Sequence, residues 1–191
     1  MGTSEVDLYR AQFEACAEQG RRLAEGVDDT RFNWRPAPDK WSIQECLTHL
    51  ILTGKLELPA MEKGIGRGRE RGLTGDGPFA YGPLERWFLR LTEPPVRVRA
   101  PAPRSLRPQR EQPAAAVLPA FLDLQRQFSA LAEAARGLDL RRVKVATPVS
   151  RVLRISLGIA LAQAAAHQRR HLEQARRVAA CQDGQAVKTL S

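Results

Sequence analysis

Histidines four residues apart in an α-helix stack on one face, about 5–6 Å apart, near enough to share a metal ion. HQRRHLEQ supplies such a pair, His167 and His171, within the long apolar run from Arg154 to Ala180. The chain has three histidines, and the remaining one, His49, lies far upstream in WSIQECLTHL. A site built of nitrogen alone would therefore use every histidine the protein owns. Three neutral imidazoles around zinc or nickel leave an open fourth position for water or a substrate atom. The residue after His167 is Gln168, so the motif is not HExxH and the metalloprotease general base is missing. Ordinary hydrogen-bonded histidines on an apolar stripe are the competing reading.

No separate catalytic residue is assigned. Glu45, one turn before His49, could orient that ligand, but it also fits a helix cap. Glu57, two turns beyond His49, reads as a surface carboxylate. Gln163 precedes His167 by one turn and Gln174 follows His171 by three residues; either could orient a ligand or a bound water, or be a polar residue beside a core stripe. Cys46 is within a turn of His49 and reads more simply as a small buried hydrophobe.

The helix that carries His49 has the clearest start in the sequence. Ser42 and Glu45 form an S-x-x-E capping box, with Trp41 just before it as a hydrophobic staple. Ile43, Cys46, Leu47, Leu50, Gly54 and Met61 make its apolar stripe, widened by Leu52 and Leu56, and the helix should end near Lys63. The pair His167 and His171 falls on a stripe with Leu153, Leu157, Ala160, Ala164, Ala175 and Val178, opposite a wet face of Arg169, Arg170, Glu173, Arg176 and Arg177. A frayed tail, 181–191, should follow. Two further helices are expected, one from Ser4 to about Glu25 and one from about Ala116 to Arg136. VDDTRFNWRPAPDK and LDLRRVKVATPVS read as plain connections, and no convincing strand set appears.

Between the second and third long helices, 64–116 reads as a long crossover, rich in glycine, proline and arginine, with a short helix PLERWFLRL inside it. That length exceeds the about 2 to 8 residues of ordinary bundle loops. With a rise of about 1.5 Å per residue, His49 lies near the start of its helix and the pair nearer the end of theirs. Antiparallel packing would bring all three to nearly one level. An all-α, up-down-down-up four-helix bundle has that arrangement, so topology and site support each other.

Composition narrows the class of function. A chain of 191 residues with 43% hydrophobic content is expected to form one domain, 1–191. Its net charge of +9 is mostly arginine, spread over helices and loops with no nucleic-acid-binding signature. Nucleic acid is therefore not expected as a partner, and the arginines near Arg67 to Arg71 and Arg97 to Arg110 read as solvated charge or as guides for an anionic substrate. Three scattered cysteines fit a reduced compartment. With neither a leader pattern nor about 18 to 20 uncharged apolar residues in a row, a cytoplasmic protein is expected and no membrane partner.

Taken together, DKWSIQECLTHL, PLERWFLRL with EPPVRVRAPAPRSLRP, and SLGIALAQAAAHQRRHLEQARRV resemble the DinB superfamily of metal-dependent enzymes. The resemblance implies an up-down-down-up four-helix bundle, often dimeric, with a divalent metal held by His49, His167 and His171. Gln168 stands where relatives often carry glutamate. Hydrolases and transferases using low-molecular-weight thiols are the activities it implies, on a small-molecule substrate that the motifs do not specify. A non-catalytic metal-binding or nucleic-acid-associated helical protein is the alternative.

Overall fold

The computed structural model describes residues 4–92, 103–147 and 150–189. It is mostly helical: α1 (Glu5–Ala24), α2 (Asp29–Asn33), α3 (Ile43–Glu70), α4 (Pro83–Thr92), α5 (Ala114–Ala134) and α6 (Leu157–Thr189), with a 3-10 turn at Arg104–Leu106 and two strands, β1 (Lys144–Thr147) and β2 (Ser150–Ser156). Expected crossover residues Arg97 and Arg99 and the last two residues of the tail lie outside the described residues.

Both helix starts predicted from capping residues are present. Ser4 accepts from the Asp7 amide and Asp7 answers the Ser4 amide; Ser42 and Glu45 do the same at the head of α3. From there, helices meet through large-to-small contacts. Phe13 of α1 stacks on Phe128 of α5 with centroids 4.8 Å apart. Gly20 lies against the Phe121 ring and Gly54 against Leu124, where no side chain would fit. The residues of α1 and α5 thus pair in opposite order. α6 packs on α3 and α1.

Helix α3 runs about two turns past its expected end at Lys63, reaching Glu70. Glycine disfavours helix interiors by about 1 kcal/mol, so Gly64, Gly66 and Gly68 read as breakers. Packing reverses that preference: a Cβ on Gly64 would stand 2.9 Å from Val145, and one on Gly68 2.6 Å from Val143. The stop comes at Gly72, with φ +59°, and the amides of Gly72 and Leu73 close on the carbonyls of Arg69 and Gly68, a Schellman motif.

Three other expectations are corrected. The connection after α1 holds α2, capped by Asp28 and anchored by fully buried Phe32. The loop 138–150 contains β1, paired antiparallel with β2 through Lys144↔Ser156 and Val145↔Ile155. Alternation in RVKVAT and RVLRIS is the period-two signal of strands, and it places half-exposed Leu153 in β2 rather than on the α6 stripe. The segment expected to fray after Ala180 continues α6 to Thr189. Among the described residues no helix is long and apolar enough to cross a membrane.

Candidate metal centre

The cap that starts α3 also positions its histidine. Glu45 is 2% exposed, and its carboxylate accepts from the Ser42 amide at 2.9 Å and from Arg35 Nε at 2.7 Å, with a second contact from the Arg35 guanidinium. The cap thus becomes a largely buried ion pair, and the carboxylate points away from ligand duty. Trp41, just ahead of the cap, lays its ring on His171 (centroids 5.6 Å, interplanar 27°) and leans on His49 at 4.9 Å.

Four residues past Glu45, the imidazole of His49 meets those of α6. Ring centroids are 5.3 Å apart for His49 and His167, 4.6 Å for His49 and His171, and 4.7 Å for His167 and His171. One ring nitrogen from each lies within 4.8 Å of the others, and among the described residues no carboxylate or thiol joins the group. Nδ1 of His49 is 2.8 Å from the Leu106 carbonyl. A carbonyl only accepts, so that nitrogen carries the proton and Nε2 keeps its lone pair for the centre.

Burial holds all three rings neutral, the state in which imidazole ligates a metal. It lowers His49 and His171 and pushes His167 down to about 3; the Arg170 charge depresses all three further. Within this dry setting His171 Nδ1 is buried without a hydrogen-bond partner. An orphaned imidazole nitrogen beside two other neutral imidazoles fits a bound cation, since burying a polar atom unpaired costs free energy that coordination would recover.

Of the other candidates, Gln174 touches His171, where its hydrogen bond opposes the downward shift. Gln163 is half-buried and bonded to none of the three among the described residues. Gln168 is 3% exposed with both amide atoms unpartnered. Cys46 is fully buried, its thiol pushed up by burial, and stands outside the group. Glu57 departs most from expectation: it is 6% exposed, and burial raises its carboxyl to about 8. Sequence reasoning missed the contribution of Trp41, Arg35 and Leu106. Trp41 had a signal in its place beside the cap, whereas a main-chain carbonyl carries none.

Fold and site together define a mostly helical protein with a three-histidine group, suited to metal binding, between two of its longest helices. The model of the DinB superfamily matches residues 12–175, and the chain belongs to that superfamily. No curated protein and no solved structure matches it.

Proposed function

We propose that the protein is a metal-dependent hydrolase or thiol-dependent transferase in which His49, His167 and His171 hold one divalent cation, zinc or nickel. The observation that carries this reading is the convergence on one point of three neutral imidazoles from α3 and α6, those of buried His49 and His171 and half-buried His167. A bound divalent cation supplies Lewis acidity, enough to bring a water or thiol to a pKa of about 7. The chain's own residues set the frame. The Leu106 carbonyl fixes the tautomer of His49, Trp41 covers the rings of His49 and His171, and Gln174 steadies His171. Gln163 is left to orient a ligand or water from one turn earlier. Since Glu45 is taken by Arg35 and its cap, the reading needs no protein carboxylate as general base.

We further infer that 1–191 forms one domain with an up-down-down-up four-helix bundle of α1, α3, α5 and α6. Opposite pairing of α1 with α5 supports that order, as does that of α3 with α6: the start of α6 at Leu157 bonds Val143 beside Gly68, whereas His167 and His171, farther along, meet His49 near the head of α3. In this reading the protein is a cytoplasmic homodimer acting on a small molecule, with a low-molecular-weight thiol as co-substrate in the transferase form. Metal analysis of protein purified from supplemented medium tests the centre: about one ion per chain is expected for a single site. Equal metal content in wild type and His167→Ala would sink it. Panels of esters, amides and thiol–electrophile pairs then test turnover; metal uptake with no turnover leaves a non-catalytic metal protein.

A further inference from the structure

The Leu106 carbonyl that receives His49 belongs to a segment, 103–113, held by contacts that the helices supply. No residue in it is buried, so apolar packing contributes little to keeping it in place. The bonds of its turn, from the Leu106 and Arg107 amides to the Pro103 and Arg104 carbonyls, stay within the segment. Side chains of α2 and α3 reach its carbonyls: His49 Nδ1 at Leu106 (2.8 Å), Gln44 Nε2 at Gln109 (3.1 Å) and Asn33 Nδ2 at Gln112 (3.1 Å). Between the last two, exposed Glu111 stands at φ +59°, a left-handed backbone that a non-glycine residue adopts at a cost in energy. The docked conformation is thus held against local preference by contacts from elsewhere in the fold.

Gln44 is the most enclosed of these donors. It is 0% exposed, and its amide nitrogen also bonds the Thr48 hydroxyl at 2.8 Å, across the turn that leads into His49. A carbonyl only accepts, so the amide must turn its nitrogen to Gln109. Its oxygen is left buried and unpartnered, an unfavourable state that the fold tolerates with both amide donors engaged. One helix face thereby holds the segment at Leu106 and at Gln109.

We infer that Gln44 is a positioning residue of the metal centre: it pins 103–113 to α3 so that the Leu106 carbonyl stays on His49, and metal binding tightens that latch in return. The inference rests on the metal reading above and adds to it a control of metal affinity by the docked segment. An imidazole that coordinates a cation through Nε2 has a more strongly polarised Nδ1–H, which makes a stronger hydrogen bond. Linkage is reciprocal, so whatever factor metal binding adds to docking, docking adds to metal affinity.

Trypsin and zinc test it on the full chain. Exposed Arg104 and Arg110 are cleavage sites within the segment, whereas Arg107 precedes Pro108 and resists; Arg71, exposed past the end of α3, is the reference site. Zinc should slow cleavage after Arg104 and Arg110 by at least about fivefold, the low end of typical coupling between sites, and leave cleavage after Arg71 unchanged. Gln44→Met keeps the length and removes both donors; it should abolish that slowing and weaken zinc binding about tenfold, read by chelator competition. In a His49→Ala background the same change should cost no further affinity, a non-additivity that general loss of structure would not give. Asn33→Ala loosens the segment from α2 and should repeat the pattern, which keeps the test open if Gln44→Met does not fold. Equal cleavage rates with and without zinc, equal slowing at Arg71, or the same affinity loss in both backgrounds each overturn the inference and leave the metal site standing. Failure of the wild type to take up zinc overturns both.

Discussion

The ring of His49 and the main-chain carbonyl of Leu106 meet at 2.8 Å across 57 positions of sequence. Through that contact the turn Arg104–Leu106, between α4 and α5, orients a candidate ligand on α3. Supporting hydrogen bonds to metal-bound imidazoles are typically worth about 10–100-fold in metal affinity, and loss of a ligand costs more. Alanine at His49, His167 or His171 should therefore weaken metal binding by over about a hundredfold, read by competition with a chromogenic chelator. Retention of wild-type affinity in any of the three would remove that residue from the ligand set.

Acid should destabilise the metal-free fold. His167 is held down to about 3 in the folded chain, while an unfolded histidine titrates near about 6.5. Between those values the unfolded chain binds more protons, so stability is present above about pH 6.5 and is lost as pH falls through the folded pKa. The slope is at most about 1.4 kcal/mol per pH unit for each such histidine. Urea midpoints across this range should drop for wild type and drop less for His167→Ala.

Glu57 predicts the opposite slope. Its folded carboxyl is raised to about 8 from the ordinary 4.5. The folded chain therefore holds the extra proton, and stability is fully present below about pH 4.5 and lost as pH rises through 8. Glu57→Gln keeps the shape without the titration, so its stability relative to wild type should grow steadily from pH 5 to 8. Parallel pH profiles for the two proteins would show that the carboxyl is solvated.

The Arg35–Glu45 pair should behave as a buried ion pair, with side chains 20% and 3% exposed. Arg35→Ala strands the carboxylate and should cost about 3–5 kcal/mol, the range for removing one partner of such a pair. Adding Glu45→Gln should recover part of that loss. Chemical denaturation of the single and double variants measures both, and an additive double variant would show the two groups to be uncoupled.

Alanine at Gly68 sets helix propensity against packing. Propensity alone favours the change by about 1 kcal/mol. The new Cβ would stand 2.6 Å from a methyl of Val143, itself 1% exposed and unable to swing away. Overpacking of this kind costs about 1–3 kcal/mol, so the thermal midpoint should fall. A rise would mean that α3 and the β-hairpin segment are not held together there.

Local rules made much of the architecture legible. Ser42 with Glu45 marked the head of α3, the step of three or four residues marked the buried face of α6, and PLERWFLRL marked α4. Errors fell where tertiary contact overrides local preference. Gly64 and Gly68 continue a helix because Val145 and Val143 crowd against them. Alternation across 142–156 was too short to outweigh the helical pattern beside it. Glu57 went unrecognised because burial is a property of what packs over a residue, not of the residue itself.

By itself the sequence determined that His167 and His171 share one face, because four residues make about one helical turn whatever the rest of the chain does. It also determined that His49 sits near the capped start of its own helix, and it carried the resemblance to a superfamily. Only the tertiary structure decided that the three rings meet, since that distance depends on how α3 and α6 pack. It alone supplied the Leu106 carbonyl, which any residue could have offered. Side-chain type encodes capacity for chemistry, and long-range packing encodes which capacities are brought together.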